Sequence, residues 1–380
     1  MKFVEVTKLY PKYLNYIYEK NPNYLRLPYD KHLLSILEDC NAESNFLLQE
    51  LEKFGYETEM FYFNAVQLQK SYDEDLSNYS LFEIIKCQLK KSKPDILFIS
   101  DLFCFNEIQL KILKAEMPSS TKFVAWHFGV VNDFSKKNAR YFDQIYTGSK
   151  YMVKTLSKYN NNVKLLYHCF SPMILEKIKK QQKSNIVVFP GSISLDCQFS
   201  RLEMCGSIIE AGIPLIFAGE IYGTLNPTTI RKILGYYKLR LKNKVPHSSR
   251  YKEYERKLRQ NMVSSKFGME YYQFIADNLV CINKHADISG TGSGNMRMTE
   301  VTGIGTCLLT DFKEENKDLF EPDYEIVEYK NTEELIEKAK WLIANPKKAM
   351  EIASAGQRKT LNSFTYKQKA QQIIEYFKDL

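Results

Sequence analysis

Between Lys284 and Glu300 the chain gathers residue types that bind charged groups and move protons: Lys284, His285 and Asp287, glycines at 290, 292 and 294, then Asn295, Arg297 and Glu300. The apolar run VCIN stands before this segment and a helix-forming stretch from Met296 follows it, so the glycines fall where a strand gives way to a helix. A helix start exposes unpaired N–H groups and the positive end of the helix dipole, and glycines let an anion approach the backbone closely. That chemistry suits a diphosphate. Asn295 is expected to cap the helix, Arg297 to add a permanent forked cation, and Glu300, one turn on, to reach a ribose diol. By spacing alone a plain glycine turn fits as well.

The elements around this segment repeat. A first strand, helical spacing from Lys31 to Phe54, a strand from Tyr56 to Phe63, a helix from Leu81 to Lys91 and the buried run DILFIS follow in order. Helix and strand then alternate through KFVAW, QIYTGS and VKLLYH, the pattern of a doubly wound α/β domain. The rhythm breaks near Phe170-Ser171-Pro172, where a charged helix is expected, and resumes with NIVVFPGS, a helix from Cys197 to Ala211, PLIFAGE, VCIN and GTCLLTD. Two α/β domains in tandem are predicted. Open parallel sheets bind ligands at the carboxyl ends of their strands, which selects the loops after SDL, AWH, FPGS, FAGE and CINKHAD.

Composition agrees with a folded enzyme or binding protein: 380 residues suffice for two cores, and 44% hydrophobic with 26% charged residues is ordinary for globular chains. The start, MKFVEVTKLYPKY, has no apolar run for secretion, and no stretch of about 18 apolar residues spans a membrane, so the chain is expected in the cytoplasm. Eight scattered cysteines, without a CxxC pair, read as buried thiols. The net charge of +8 is concentrated. Residues 229–260 hold eleven lysines and arginines against Glu253 and Glu255, which suits a polyanion, an anionic membrane face or an acidic substrate, and equally a solvated helical face.

From about Lys266 to Tyr376 the sequence resembles the C-terminal domain of GT-B glycosyltransferases of the glycosyl-transferases-group-1 type, especially the CgeB-like branch. Asn295, Arg297, Glu300, Gly303, Leu308, Leu309, Thr310 and Asp311 carry the resemblance, with the later FEP, the helix before NP, and the turn from Ala355 to Gln357. It implies two Rossmann-like domains facing across a cleft. Residues 1–172 would receive the acceptor, residues 173–365 would hold the nucleotide sugar, and a terminal helix over 366–380 would pack back on the first domain. Glu300 would bind the ribose, Gly294, Asn295, Met296 and Arg297 the diphosphate, and His285 and Asp287 would lie beside the sugar. The similarity of FPGSISLDCQFSRLE to the family's first C-terminal strand and loop puts Ser192 and Arg201 near the phosphates. Many retaining relatives carry a Glu-x7-Glu pair whose second member matches Glu300. The first falls on Gly292, which leaves the stereochemical course open.

Sugar transfer needs a base for the incoming hydroxyl, positive charge for the departing nucleoside diphosphate, and exclusion of water. Of four candidate bases His285 ranks first; Asp287 is the alternative beside it, His127 in AWHFG is the best candidate of the first domain, and Asp101 after FIS is its rival, while Lys284 is placed to contact phosphate. No DxD motif flanked by strands occurs, so no metal is expected. The reading is a metal-independent glycosyltransferase using a UDP- or GDP-sugar and a glycan, glycolipid or protein-linked acceptor, with peripheral contact to anionic membrane through residues 229–260 and no nucleic acid. Its rivals are a nucleotide-sugar epimerase of the same fold and a non-catalytic glycan- or nucleic-acid-binding protein.

Overall fold

The computed structural model describes residues 1–129, 131–195, 198–223, 249–286 and 290–380. They form two compact units, one of residues 1–167 with 365–380 and the other of residues 168–364.

The first unit is built on parallel strands β1 (Lys2–Thr7), β2 (Glu57–Tyr62), β3 (Ile96–Ile99), β4 (Lys122–Trp126), β5 (Gln144–Thr147) and β6 (Val163–Leu165), side by side in the order β2-β1-β3-β4-β5-β6. Helices α1 (Pro11–Lys20), α2 (Tyr29–Glu38), α3 (Phe46–Lys53), α4 (Val66–Lys70), α5 (Leu81–Ser92), α6 (Glu107–Glu116), α7 (Asp133–Ala139) and α8 (Lys150–Leu156) connect them. The run ILFI is buried at all four positions because helices cover both faces of the sheet. One face packs Val4, Val6, Leu97, Ile99, Phe123, Ala125 and Ile145 against α5 and α6.

The long helix expected from Lys31 to Phe54 is instead two, α2 and α3. Cys40, Ala42 and Ser44 between them take positive φ, which no helix tolerates and which turns the chain sharply. The charged helix expected after Pro172 is only the short α9 (Met173–Lys177).

The second unit orders its strands β12-β11-β10-β7-β8-β9, all parallel: β7 (Ser184–Ser194), β8 (Leu215–Tyr222), β9 (Met262–Val263), β10 (Asn278–Asn283), β11 (Cys307–Asp311) and β12 (Val327–Tyr329). Its further helices are α10 (Phe199–Glu210), α11 (Ser249–Gln260), α12 (Gly268–Ala276), α13 (Met296–Ile304), α14 (Asn316–Leu319), α15 (Thr332–Ala344) and α16 (Pro346–Ser363). Glycines set the closest approaches. A Cβ on Gly206 would stand 2.1 Å from the Tyr254 ring, which fixes α10 against α11, and one on Gly303 would stand 2.4 Å from Phe170.

The last helix, α17 (Tyr366–Phe377), belongs to the first unit. Tyr376 stacks on Tyr146 at 5.7 Å, and Phe377 lies 6.1 Å from Phe3. Lys369 is buried, paired with Glu43 at 3.0 Å and placed 4.3 Å over the Trp126 ring. Nearby on β1, Glu5 is fully buried and accepts from Ser100 Oγ; burial pushes its carboxyl up to about 7, against the opposing pull of the Ser100 hydroxyl.

Most of the basic stretch, including residues 229–248, lies outside the described residues. What is described of it, α11, buries Tyr254, Glu255 and Leu258 and ties Arg250 to Glu210, Arg256 to Glu253 and Arg259 to Glu255. All described cysteines are thiols; Cys40, Cys104, Cys205, Cys281 and Cys307 are buried, while Cys87 and Cys169 are half-buried. Among the described residues no helix is long and apolar enough to cross a membrane.

Candidate functional site

Strand order in the second unit reverses direction between β7 and β10: chain order runs outward from β7 through β8 to β9, and from β10 through β11 to β12. The loops leaving these two central strands therefore part and open a crevice at their carboxyl ends. Pro190, Gly191 and Ser192 line it from β7, and the segment from Lys284 to α13 lines it from β10.

Asn283, the last residue of β10, is fully buried and organises the floor. Its Oδ1 accepts from Asn295 Nδ2 at 3.1 Å and from Arg297 Nη1 at 3.0 Å, while its Nδ2 donates to Thr310 Oγ1 at 3.0 Å. Arg297 also donates through Nη2 to the Pro190 carbonyl and stands 5.0 Å over the Phe189 ring. Gly191 makes room for it: φ is +147°, and a Cβ there would lie 2.8 Å from Nη2. On the β7 side, Arg201 donates to the carbonyls of Lys284 at 3.1 Å and Ser192 at 3.0 Å, stapling the two loops together.

Asn295 stands at the N-cap of α13 as expected from sequence, but its side chain makes no cap bond. It turns instead to Asn283. The expected cap is corrected on that point, and the reason is competition: a buried acceptor on β10 draws the amide away from the helix's own N–H groups. With no side-chain cap bond and no acidic residue in the first turn, the start of α13 keeps the positive end of its dipole and the N–H groups that a cap would have bound. Two further buried atoms, Asn295 Oδ1 and Arg297 Nε, have no hydrogen-bond partner among the described residues.

Glu300, buried on the first turns of α13, accepts from Tyr271 Oη at 2.7 Å. Burial, and then the Glu300 charge, push the Tyr271 phenol far up, so its proton stays in place and is donated to the carboxylate. Nothing near Tyr271 in the sequence signals this role.

The glycine-rich loop is held at several points. His285 donates its backbone N–H to Asp311 Oδ1 at 2.9 Å, and its Nδ1 lies 2.8 Å from the same oxygen. Its Nε2 is 3.4 Å from Ser293 Oγ, which in turn donates to Asn316 Oδ1. Lys313 Nζ donates to the Gly290 carbonyl at 2.6 Å. Asp311 is buried, which alone would raise its carboxyl; the His285 bonds and charge and Lys284 at 3.5 Å outweigh this and hold it at about 2. His285, with both ring nitrogens engaged and only 2% exposed, thus anchors the loop. Asp287 lies outside the described residues.

In the first unit, Asp101 and His127 come together at the ends of β3 and β4. His127 Nδ1 is 3.0 Å from Asp101 Oδ1, which also accepts from the Phe103 N–H at 3.0 Å. The ring is fully buried, packed edge-on to Phe103, and Nε2 has no partner among the described residues. A Cβ on Gly129 would stand 3.0 Å from the imidazole, so that glycine keeps the ring's place. An aspartate on one nitrogen fixes the tautomer and leaves the other for a proton. Sequence placed Asp101 and His127 as rivals; they are one pair.

Residues 226–375 match the model of a family described as glycosyl transferase-like. Among solved structures, sucrose-phosphate synthase from Thermosynechococcus elongatus aligns over 88% of this chain and 91% of its own, with 13% identity and a TM-score of 0.56. HepE from Anabaena, solved in complex with UDP, aligns over the whole of both chains with 13% identity and a TM-score of 0.54. A glycosyltransferase from Rickettsia africae covers 100% of this chain and 98% of its own, with 9% identity and a TM-score of 0.56. The chain has the GT-B fold, and its residues 226–375 are glycosyl-transferase-like in sequence. The matched segment of this GT-B chain contains Asn283, Arg297, Glu300 and Asp311, the residues that build its crevice. No curated protein matches the sequence.

Proposed function

We propose that the chain transfers a sugar from a nucleotide-sugar donor held by the second unit to a glycan, glycolipid or protein-linked hydroxyl received by the first. One observation carries the reading: an uncapped helix start, an arginine fixed over Phe189 and a buried, tyrosine-held glutamate converge on the point where strand order reverses. The diphosphate would lie against Gly294, Asn295 and Met296 with Arg297 beside it, and the ribose against Glu300. Ser192, Arg201 and Lys284 would form the opposite wall, Arg201 by fixing the loops and Lys284 by its charge. The same fold in HepE, whose structure holds UDP, supports a uridine nucleotide as the first donor to test, with a guanosine nucleotide second.

In this reading His127 takes the proton of the attacking hydroxyl through Nε2, and Asp101 holds the ring in the tautomer that can do so. His285 positions the sugar loop through Asp311; Asp287 would lie on the same loop. Arg297 and the helix start stabilise the charge that develops on the leaving diphosphate, with no metal called on. The reaction belongs in the cytoplasm, where a peripheral contact of residues 229–260 with anionic lipid would bring a lipid-linked acceptor near.

Calorimetric titration of the whole chain with UDP and GDP tests the proposal. Glu300→Gln keeps the shape and the Tyr271 contact but removes the charge. Charged hydrogen bonds are worth about 1.5–3 kcal/mol, so binding is expected to weaken roughly tenfold to 150-fold. No affinity of the parent protein for any nucleoside diphosphate overturns the donor assignment.

A further inference from the structure

The second unit carries an aromatic hollow, of about 710 Å³, that the reaction leaves unused. Tyr324, Trp341 and Met350 line it and are 56%, 45% and 51% exposed, beside Lys347, Glu351 and Arg358. It sits at the amino-terminal end of the sheet. The turn bearing Tyr324 leads into β12, and Asn185, at the start of β7, donates to Ile343 O near the end of α15, the helix that bears Trp341. The donor loops leave the opposite end of the same strands.

The turn is built to present its tip. Asp323 adopts φ +59°, a conformation that costs a non-glycine residue free energy, and is held there by its N–H to Ile326 O at 2.7 Å and its carboxylate to Lys338 at 3.3 Å. Glu325 donates its N–H to Glu321 O at 2.8 Å, and its carboxylate accepts from the Glu321 N–H at 2.8 Å. Helix α16 abuts this turn at Gly356, where a Cβ would lie 2.4 Å from Glu325 O. A backbone pinned at this many points around an exposed tyrosine is a fixed platform, and a fixed platform loses little entropy when something settles on it.

The chemistry around the platform is mixed. Two aromatic rings and a thioether offer flat apolar faces, Glu351 and Asp323 accept hydrogen bonds, and Lys347 and Arg358 donate them without an ion-pair partner among the described residues. At the rim Asp323 is paired with Lys338 and Glu351 with Lys348, so the charges there are largely balanced and present no strong field of one sign to a membrane surface. Three large apolar side chains divided by charges are too few for the desolvated centre of a protein interface. A sugar ring matches every part: its C–H face lies on an aromatic ring, and its hydroxyls both donate and accept.

We propose that this hollow is a second glycan-binding site, which takes a neutral oligosaccharide segment away from the reaction centre. The hollow stands apart from the transferase reading. It gives the chain a hold on a polymer that the reaction site need not supply.

The sequence contains two tryptophans, and Trp126 is buried, so Trp341 reports on the hollow by its fluorescence. The whole chain is titrated with maltoheptaose, cellohexaose, chitohexaose and mannohexaose, and in parallel with vesicles of phosphatidylcholine and phosphatidylglycerol and across a protein concentration series. At least one oligosaccharide is expected to shift the emission to the blue and protect it from acrylamide. Trp341→Phe should abolish the response, and Tyr324→Ala should weaken it about tenfold, with UDP binding and melting temperature unchanged. The proposal is overturned if none of the four sugars protects Trp341, if Tyr324→Ala leaves the affinity intact, or if vesicles or self-association give the protection instead. UDP binding in the same samples is a separate readout: its absence beside intact glycan binding refutes the transferase and spares the hollow, and the converse does the reverse.

Discussion

Replacing Asp311 by asparagine tests whether the loop after β10 is tied to the sheet as described. In Asp311→Asn the new amide keeps an oxygen for the backbone N–H and ring of His285 but loses the charge that faces His285 and Lys284. The Asp311 carboxyl is held at about 2 against an ordinary 3.8, a gap of nearly two units. At about 1.4 kcal/mol per unit this is roughly 2 kcal/mol of stability. Because the folded value is the depressed one, that contribution is present above the unfolded value and is lost as pH falls from about 4 toward 2. Urea unfolding of parent and variant, followed by the fluorescence of the whole chain, should therefore differ by about 2 kcal/mol at pH 5. The gap should narrow at pH 3. Equal stability at pH 5, or a gap that does not change with pH, would refute the claim that this carboxylate works through its charge. UDP affinity should fall in the variant as well, since the loop that carries Gly294 is then less firmly held.

Four other substitutions probe the rest of the molecule. His127→Asn should lower kcat by about 10²–10⁴-fold with donor binding unchanged, and Asp101→Asn should lower it less; full turnover in both would remove the pair from the chemistry. Gly191→Ala puts a Cβ 2.8 Å from Arg297 Nη2 on a backbone at φ +147°, so weaker UDP binding is expected, at a stability cost of about 1–3 kcal/mol; calorimetry showing parental affinity would mean that Arg297 does not face the diphosphate. Glu5 has a raised carboxyl, so the stability it gives is whole below about 4.5 and is lost as pH rises through about 7. Glu5→Gln should thus stabilise the protein at pH 8 by about 3 kcal/mol and leave it unchanged at pH 4, as read by chemical denaturation at the two pH values.

The sequence was informative wherever one periodicity or one spacing carried the message. Runs such as ILFI and NLVCIN are buried from end to end, so the parallel sheets were legible, and the glycines before Met296 marked the start of α13. Less was legible where a residue's partner is distant in the chain. Asn283 could have been found, since an amide closing a wholly apolar strand must be satisfied by something. Tyr271 could not: it lies 29 residues before Glu300 in a helix with no local sign of the contact. Asp311 was read as the end of a leucine-rich strand, and its bond to His285 spans 26 residues. The single helix expected after Lys31 failed for a different reason. Its apolar spacing is genuine on both halves, but the turn at Cys40, Ala42 and Ser44 uses left-handed backbone without a glycine to announce it.

The membership of α17 in the first unit has a consequence for how the chain is made. Residues 168–364 form a continuous segment and can fold as soon as they leave the ribosome, whereas the first unit lacks the cover for Phe3, Tyr146 and Trp126 until residue 377 has been synthesised. The sheet translated first is therefore completed last. A stop codon or a bulky fusion that removes or displaces residues 366–380 would injure the sheet that starts at Lys2 and spare the one between, and a protease acting during synthesis would meet an N-terminal sheet that is still open.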